Sequence, residues 1–181
     1  MRVVTLASGS RGVGKSFIAT NLAWALAERG LKTCLVDLDL AEADLHLMTG
    51  VLSPDLTAID LLRGDIPNLR AAMVDVPGAP NLKLVPGPLE TRRSSSLSEG
   101  EIGQLGQEIL RLGVDVAVVD LEAGICPQIL DLHLMGDVQW VVASVDESSL
   151  DGAARLLRLA RLRRTARGSV SRQSQRPRIY T

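Results

Sequence analysis

The sequence has few aromatic residues and no long apolar run. Phe, Trp and Tyr make up only 2% of its 181 residues, so the core must be built from Leu, Val, Ile and Ala. No apolar run approaches the roughly 20 residues that a membrane span requires. The first eight residues carry one charge and lead into a motif rather than a cleavage site, so we expect no signal peptide. Length and composition predict one globular domain in the cytoplasm.

Cysteine and histidine are too few and too scattered to indicate a metal site or a nucleophile. Cys34 and Cys126 both stand in apolar stretches without metal-ligand spacing, so we interpret them as reduced core thiols. His46 and His133 are isolated on helical segments and are interpreted as structural. The sequence therefore gives no support for Ser/His or Cys/His nucleophilic catalysis.

Acidic residues are absent after Asp151, which gives the two parts of the chain opposite charge. Residues 1–154 carry a net charge of −10, and residues 155–181, with nine arginines, carry +9. The stretch 154–167 has a basic amphipathic pattern that suits an anionic membrane, nucleic-acid phosphates or, as we favour, a helix packed on a sheet with a solvated outer face. Residues 165–181 have few large apolar residues and no periodicity, so we expect a basic tail that is disordered or loosely attached.

Short aliphatic runs alternate with helical patterns along residues 1–164. Such alternation predicts an α/β fold with a mostly parallel sheet flanked by helices on both faces. Helices are expected over 15–29, closed by Gly30, over 98–112 behind the capping box Ser98-x-x-Glu101, and from Ser148-x-x-Asp151 to about 164. The predicted strands are residues 2–7, 33–37, 82–85, 114–120 and 138–144.

A complete phosphate-binding motif, Gly9-x-x-x-x-Gly14-Lys15-Ser16, lies between the first predicted strand and the first predicted helix. Its glycines let backbone N–H groups turn towards an anion, at the positive end of the helix dipole. Lys15 can reach the β- and γ-phosphates of a nucleotide, and the Ser16 hydroxyl suits a Mg²⁺ ligand. The predicted nucleotide-binding residues are Gly9, Ser10, Arg11, Gly12, Val13, Gly14, Lys15, Ser16 and Phe17.

Carboxylates end two of the predicted buried strands. Asp37 ends the strand over 33–37, Asp39 follows it two residues later, and Asp120 ends the strand over 114–120. Ligands of parallel α/β sheets bind at this carboxyl edge, where acidic residues can hold Mg²⁺ near a γ-phosphate. Spacing alone leaves a second interpretation open, in which Asp37 and Asp39 cap the next helix and Asp120 only ends its strand.

These motifs together resemble the MinD/ParA family of P-loop ATPases, over residues 1 to about 160. The stretch DLDLAEADLHLMTG is similar to the family pattern D-x-D-x-G-x-A-N-x-D-x-x-x-G, and DLEAGI is similar to D-x-G-A-G-I of the flagellar-placement branch called FlhG or FleN. The stretch VVASVDESSLDGAARLL resembles VVTTPEPTSLTDAY of the same branch. The likeness is strongest to that branch.

The resemblance implies a three-layer nucleotide-binding domain over residues 1–164 that uses ATP and Mg²⁺. It implies an ATP-dependent homodimer that hydrolyses ATP slowly and positions a cellular structure, with a protein partner and with contact to a membrane or to DNA. On this basis Lys15 and Asp39 are the catalytic residues, with Asp39 orienting or deprotonating the attacking water. Ser16, Asp37 and Asp120 are the residues around magnesium. The protein is expected in the cytoplasm or at the inner face of the membrane.

The chain departs from the family pattern at several positions. Ser10 stands where the family has a signature lysine that reaches across the dimer, and Arg11 stands in place of a glycine. Ala41 and Glu42 replace Gly and Leu, and Glu122 replaces the glycine of the flagellar branch. The chain is also short at its C-terminus, without the recognisable strand whose asparagine reads adenine in the family.

These departures lead to two hypotheses about Arg11 and to alternative functions. Arg11 either supplies the missing cation to the partner's nucleotide or pairs with Glu122, whose carboxylate would otherwise repel a γ-phosphate. The alternative to a slow ATPase is a non-hydrolysing nucleotide sensor or scaffold that has lost turnover through Ser10 and Glu122. A defective fragment is a third interpretation.

Overall fold

The computed structural model describes residues 1–89, 97–166 and 178–180. Its strands and helices alternate along the chain, with a short 3-10 helix over Leu69–Ala72. The strands are β1 (Arg2–Ser8), β2 (Thr33–Leu38), β3 (Val74–Asp75), β4 (Leu82–Val85), β5 (Val116–Leu121), β6 (Val138–Val142) and β7 (Arg178–Tyr180). The helices are α1 (Lys15–Glu28), α2 (Leu45–Met48), α3 (Ala58–Arg63), α4 (Glu99–Leu110), α5 (Pro127–Leu134) and α6 (Glu147–Ala166).

The strands form one sheet in the order β3-β4-β2-β5-β1-β6-β7. All neighbours pair in parallel except β3, which runs antiparallel to β4. β2 and β5 pair in a register that places Asp37 opposite Asp120. The predicted fold class, a mostly parallel sheet with helices on both faces, is confirmed. No helix in the described ranges is long and apolar enough to cross a membrane.

Each face of the sheet is covered by helices, which explains why the central strands are continuous aliphatic runs. On one face α1 buries alanines against Leu6, Leu35 and Leu84. On the other face α4, α5 and α6 bury Leu105, Ile129 and Leu156 together with side chains of the strands. The favoured interpretation of residues 154–167, a helix that packs on the sheet, agrees with the burial of Ala153, Leu156 and Ala160 on α6.

Both cysteines are free, as the sequence predicts for core thiols. Cys34 is fully buried in β2, and burial raises the pKa of its thiol to about 12. Cys126, which precedes α5, is half-buried. A thiol with so high a pKa is not ionised near neutral pH, so Cys34 acts as a packing residue and is chemically inert.

The helix ends differ from the predicted ones at α6. Its N-terminus is capped by Asp146 rather than Ser148, because the Asp146 carboxylate accepts from the Ser149 amide at 2.9 Å. The helix also runs two residues beyond the predicted boundary at 164, to Ala166. In the segment expected to be disordered, Arg178–Tyr180 pair with β6 as β7. Residues 167–177 and 181 of that segment lie outside the described residues.

Candidate functional site

The loop between β1 and α1 opens onto the carboxyl edge of the sheet. Gly12 and Gly14 have φ values of +74° and +85°, a left-handed conformation that favours glycine. Gly14 is the N-cap of α1, no side chain caps the helix through a hydrogen bond, and its first turn contains no acidic residue. The amides of this turn are therefore available to an anion, which the helix dipole also attracts.

Gly9 is required for a different reason, its close approach to helix α6. A Cβ atom built on Gly9 would lie 2.3 Å from the carbonyl carbon of Gly152, a distance that packed atoms never show. A Cβ on Gly152 would in turn lie 3.2 Å from Ser10 Oγ and 3.3 Å from Gly9 Cα. The loop thus rests directly on the backbone of α6.

A cavity of about 510 Å³ lies above the loop. It contains all of the predicted nucleotide-binding residues except Gly9, which lies beneath it against α6. Asp39 and Glu42, from the segment after β2, form the opposite wall. The remaining lining residues are Ser8, Ala43, Asp44, Met48 and Ala123.

Lys15 and two of the three predicted aspartates meet at the base of this cavity. The Lys15 ammonium lies 2.7 Å from Asp120 Oδ1 and 3.8 Å from Asp39 Oδ2. Lys15 is 6% exposed and Asp120 is fully buried, with Oδ2 lacking a hydrogen-bond partner in the described part of the chain. Burial raises the pKa of Asp120, and the charge of Lys15 opposes that shift. The arrangement is a buried ion pair with one carboxylate oxygen left over.

Asp37 and Asp39 shape the segment after β2 through backbone hydrogen bonds. The buried Asp37 carboxylate accepts from the amides of Asp39 at 3.1 Å and Leu45 at 3.2 Å. Asp39 Oδ1 accepts from the amides of Ala41 and Glu42, at 3.3 and 3.0 Å. Burial, followed by the charge of Asp120, raises the pKa of Asp37 well above its ordinary value. Asp37 thus caps this turn, whereas Asp39 keeps Oδ2 towards Lys15.

The departures from the family pattern gather at the mouth of the cavity. Arg11 Nη1 donates to Glu42 Oε1, and Arg11 Nη2 lies 3.7 Å from Glu122 Oε1. Burial raises the pKa of Glu122, Asp39 adds to the rise, and Arg11 opposes it. Two hypotheses were open for Arg11, a contact with the partner's nucleotide and a pairing with Glu122. The structure of the single chain contains the second, the pairing with Glu122.

The residues present fit a Mg²⁺ ion held together with phosphate oxygens. Ser16 is the second residue of α1, after Lys15, and the Asp120 carboxylate beside Lys15 has one buried oxygen without a hydrogen-bond partner among the described residues. Within the described residues no three His, Cys, Asp or Glu side chains converge as a metal cage. Mg²⁺ typically takes one or two protein ligands and completes its shell with water and substrate phosphates, which agrees with this sparse donor set.

Two glycines that support the site were not among the predicted residues. Gly152 of α6 packs against Gly9 of the phosphate-binding loop. Gly87 follows β4 and packs against the Asp37 side chain. A Cβ on Gly87 would lie 2.6 Å from Ala43 Cβ and 3.0 Å from Asp37 Cγ. The only local signals are a glycine early in a helix and the Pro-Gly-Pro after a strand. Neither signal indicates which distant residue the glycine approaches in the folded chain.

The strand, glycine-rich loop and helix, with a lysine facing acidic strand ends, define a P-loop NTPase. A family model described as ParA, NUBPL iron-transfer P-loop NTPase, matches residues 1–76. The chain is 34% identical over 125 residues to a putative septum site-determining protein MinD of Guillardia theta, which covers 68% of this chain and 45% of that protein. It is 30% identical over 161 residues to the antiactivator FleN of Pseudomonas aeruginosa, which covers 88% of this chain and 56% of FleN.

A solved structure shows the same fold. The septum site-determining protein MinD of Pyrococcus horikoshii, complexed with Mg-ADP, superimposes with a TM-score of 0.71 at 26% identity, over 91% of this chain and 65% of that one. This chain belongs to the MinD/ParA family of P-loop NTPases and has FleN-like relatives. The chain spans about half the length of the curated relatives it matches.

Proposed function

We propose that this chain binds MgATP in the cavity above the β1–α1 loop and acts as a slowly hydrolysing nucleotide switch of the MinD/ParA type. The observation that carries the proposal is the placement of Lys15 between Asp120 and Asp39, at an uncapped helix N-terminus inside a 510 Å³ cavity. A buried lysine at that position is the group that would move from a carboxylate to the phosphates when a nucleotide enters.

Each residue of the site has a proposed role. Backbone amides of residues 9–17 receive the phosphates, and Lys15 neutralises their charge. Asp39, whose Oδ1 accepts from the amides of Ala41 and Glu42 and whose Oδ2 lies 3.8 Å from the Lys15 ammonium, orients the attacking water. Ser16 and Asp120 hold Mg²⁺, with Asp37 behind them fixing the turn. When bound, Mg²⁺ supplies positive charge that stabilises the charge developing on the phosphates.

Slow turnover follows from the loop residues at the mouth of the site. Ser10 carries no charge, so the contribution of a cation at that position to the transition state is missing. The guanidinium of Arg11 is engaged by Glu42 and Glu122. A single cation at such a position is worth about 10³–10⁵ in rate in related phosphoryl transfers. The proposed activity is therefore that of a switch and not that of a fast enzyme.

The remaining parts of the proposal come from the relatives and not from a described contact. We propose an ATP-dependent homodimer, located in the cytoplasm or at the inner face of the membrane, that acts through a protein partner. Relatives named for septum-site determination and for antiactivation support a role in positioning a cellular structure. The exposed arginines of α6 would serve contact with a membrane or with DNA.

Asp39→Ala separates a slow ATPase from a nucleotide sensor. We expect the wild-type chain and Asp39→Ala to bind MgATP with similar affinity, because Asp39 is not among the proposed phosphate or metal ligands. Phosphate release by the wild-type chain should be slow but measurable, and at least about tenfold slower in the variant. Asp55→Ala, which removes an exposed carboxylate outside the cavity, is the matched control. Binding of MgATP without any phosphate release by the wild-type chain would establish the sensor.

A further inference from the structure

Arg11 contacts both Glu42 and Glu122, and at all three positions this chain departs from the family pattern. Arg11 belongs to the loop after β1, Glu42 to the segment after β2, and Glu122 to the segment after β5. Arg11 forms an ion pair with Glu42 and places Nη2 3.7 Å from Glu122 Oε1. We call this set the Arg11 bridge. Departures at random positions of a loop-rich edge would not be expected to converge on one guanidinium.

The Arg11 bridge is attached to the residue proposed to orient water. The amide of Glu42 donates to Asp39 Oδ1 at 3.0 Å, while the side chain of Glu42 accepts from Arg11. Arg11 and Glu42 both line the cavity that contains Lys15. One residue, Glu42, therefore connects the Asp39 turn through its backbone to the phosphate-binding loop through its side chain.

The charges of the Arg11 bridge explain why its members depend on one another. Glu42 and Glu122 add two carboxylates to an edge that already contains Asp39, next to a cavity suited to an anion. Without Arg11 their charge would repel a bound polyphosphate. With Arg11 between them, one of the two added charges is compensated. Replacing Arg11 alone with the family's glycine would remove the compensation and leave the repulsion.

We propose that Arg11 is a positioning residue that acts within its own chain, holding the Asp39 turn on the phosphate-binding loop and screening Glu42 and Glu122 from the phosphates. The three residues are a mutually compensating set. The effect on nucleotide rests on the proposed function, whereas the effect on the Asp39 turn does not. The side chains of Arg11 and Glu42 are more than half exposed, so the pair is worth up to about fivefold in an equilibrium constant.

The test compares four chains: wild type, Arg11→Gly, Arg11→Lys, and the triple variant Arg11→Gly/Glu42→Leu/Glu122→Gly. The first measurement needs no nucleotide and follows hydrogen exchange of the peptide over residues 39–44, which contains the two amides bonded to Asp39. Arg11→Gly should exchange there about threefold faster, and Arg11→Lys should return towards wild type because it restores the charge. The peptide over Leu82–Val85 in β4 is the internal control and should not change.

The second measurement is the dissociation constant of MgATP for the same chains. Arg11→Gly should bind about tenfold more weakly, because two uncompensated carboxylates remain. The triple variant should recover to within about threefold of wild type, although it has lost one cation. Recovery in the triple variant would show that the carboxylates of Glu42 and Glu122 cause the weaker binding of Arg11→Gly.

Three results would overturn the proposal. Unchanged exchange over residues 39–44 in Arg11→Gly would show that the bridge does not hold the turn. A triple variant that binds no better than Arg11→Gly would show that Glu42 and Glu122 do not oppose the nucleotide, so that Arg11 has nothing to screen. Wild-type ATP turnover per chain that rises with protein concentration, and loses that rise in Arg11→Gly, would assign Arg11 to the partner's nucleotide. If the wild-type chain binds no MgATP, the proposed function fails, and the exchange measurement still decides the role of Arg11.

Discussion

At the scale of single residues, the buried pair of Lys15 and Asp120 is the main electrostatic feature. Both charges are removed from water, so each depends on the other for compensation. Asp39 lies further away, at 3.8 Å from the ammonium, and compensates it less. The pair holds Lys15 inside the site and leaves one buried carboxylate oxygen of Asp120 without a partner in the ranges that the structure describes.

Replacing Asp120 with Asn should destabilise the nucleotide-free chain. The substitution leaves the Lys15 ammonium buried with only the distant Asp39 carboxylate, so we expect the free energy of unfolding to fall by about 2 kcal/mol. Urea unfolding measures it. Asp75→Asn removes an exposed carboxylate that pairs with Lys83 at 2.5 Å, and should cost less than about 1 kcal/mol. Equal losses in the two variants would contradict a buried pair.

His133 is held as a neutral, buried side chain. The Thr5 hydroxyl donates to the His133 carbonyl at 2.9 Å, so it accepts from the His133 ring at Nδ1, 3.2 Å away. Burial, with a smaller contribution from Arg164, lowers the pKa of His133 from 6.5 to about 4. The sequence-based interpretation of this histidine as structural agrees with these contacts.

This pKa predicts a loss of stability in mild acid. Below pH 6.5 His133 is protonated in the unfolded chain, whereas in the folded chain it stays neutral down to about pH 4. The free energy of unfolding therefore falls as the pH is lowered from 6.5 to about 4. The full loss is about 3 kcal/mol, at about 1.4 kcal/mol for each pKa unit. His133→Asn can still donate to Thr5 but does not titrate. Its unfolding free energy should be lower at pH 7 yet change less down to pH 4, and parallel profiles would contradict the assignment.

At the scale of elements, the contact between the phosphate-binding loop and helix α6 limits what the loop can accept. Gly9→Ala would place a methyl group 2.3 Å from the Gly152 backbone, so either the loop or the helix must shift. We expect a loss of about 2 kcal/mol in unfolding free energy and at least about tenfold weaker MgATP binding. Thermal unfolding and titration of the same sample measure both effects. Unchanged stability and affinity would show that this contact is not close in solution.

Gly103→Ala is the control for Gly9→Ala, and we expect it to change the free energy of unfolding in the opposite direction. Gly103 is exposed in the middle of α4, and a Cβ built there meets no atom within 4 Å. Alanine should therefore raise the free energy of unfolding by about 0.5–1 kcal/mol through helix propensity alone. MgATP affinity should not change, because α4 contributes no residue to the cavity. A destabilised Gly103→Ala would contradict the packing of α4.

The long helices and one short strand between turn residues could be predicted from the sequence, and the other short elements could not. β4 has the predicted bounds, and the Ser98 capping box of α4 is present. The helices α2 and α3 and the strand β3 contain six residues or fewer, which is too short to show a period. At α6 two capping residues compete, and the choice of Asp146 over Ser148 depends on how β6 ends. The pattern alone could not decide it.

Within the site, too, some features could be predicted from the sequence and others could not. The phosphate-binding loop could be predicted because its residues are contiguous and its conformation is local. The pairing of Arg11 with Glu122 was one of two hypotheses, whereas the contact with Glu42 could not be read from the spacing. Gly87 and Gly152 were missed because only the folded chain shows what they approach. Contacts across long sequence separations require the topology of the sheet.

At the scale of the whole molecule, the strand order explains why distant residues form one site. β1 lies beside β5, and β5 lies beside β2, so the loops that follow these three strands meet at one edge. This edge brings together Asp120 of β5, Lys15 at the start of α1 and Asp39 after β2, and also the three members of the Arg11 bridge. The candidate site and its departures from the family pattern are therefore consequences of one parallel topology.

Two of the arginines near the end of the chain form contacts within the domain. Arg163 forms an ion pair with Asp131 of α5, and Arg164 donates to Gln139 of β6. Both contacts join α6 to neighbouring elements, so these two arginines help to hold the helix on the domain. Arg155, Arg158 and Arg161 are exposed on the same helix.

Binding of MgATP is the central claim, and isothermal titration of the wild-type chain and Lys15→Ala tests it most directly. The account predicts one MgATP bound per wild-type chain and binding at least about 100-fold weaker in Lys15→Ala, because the variant loses the ammonium that meets the phosphates. Circular dichroism of both chains checks that the variant is folded. A wild-type chain that binds no MgATP, or a folded Lys15→Ala that binds it as tightly as the wild type, would contradict the account.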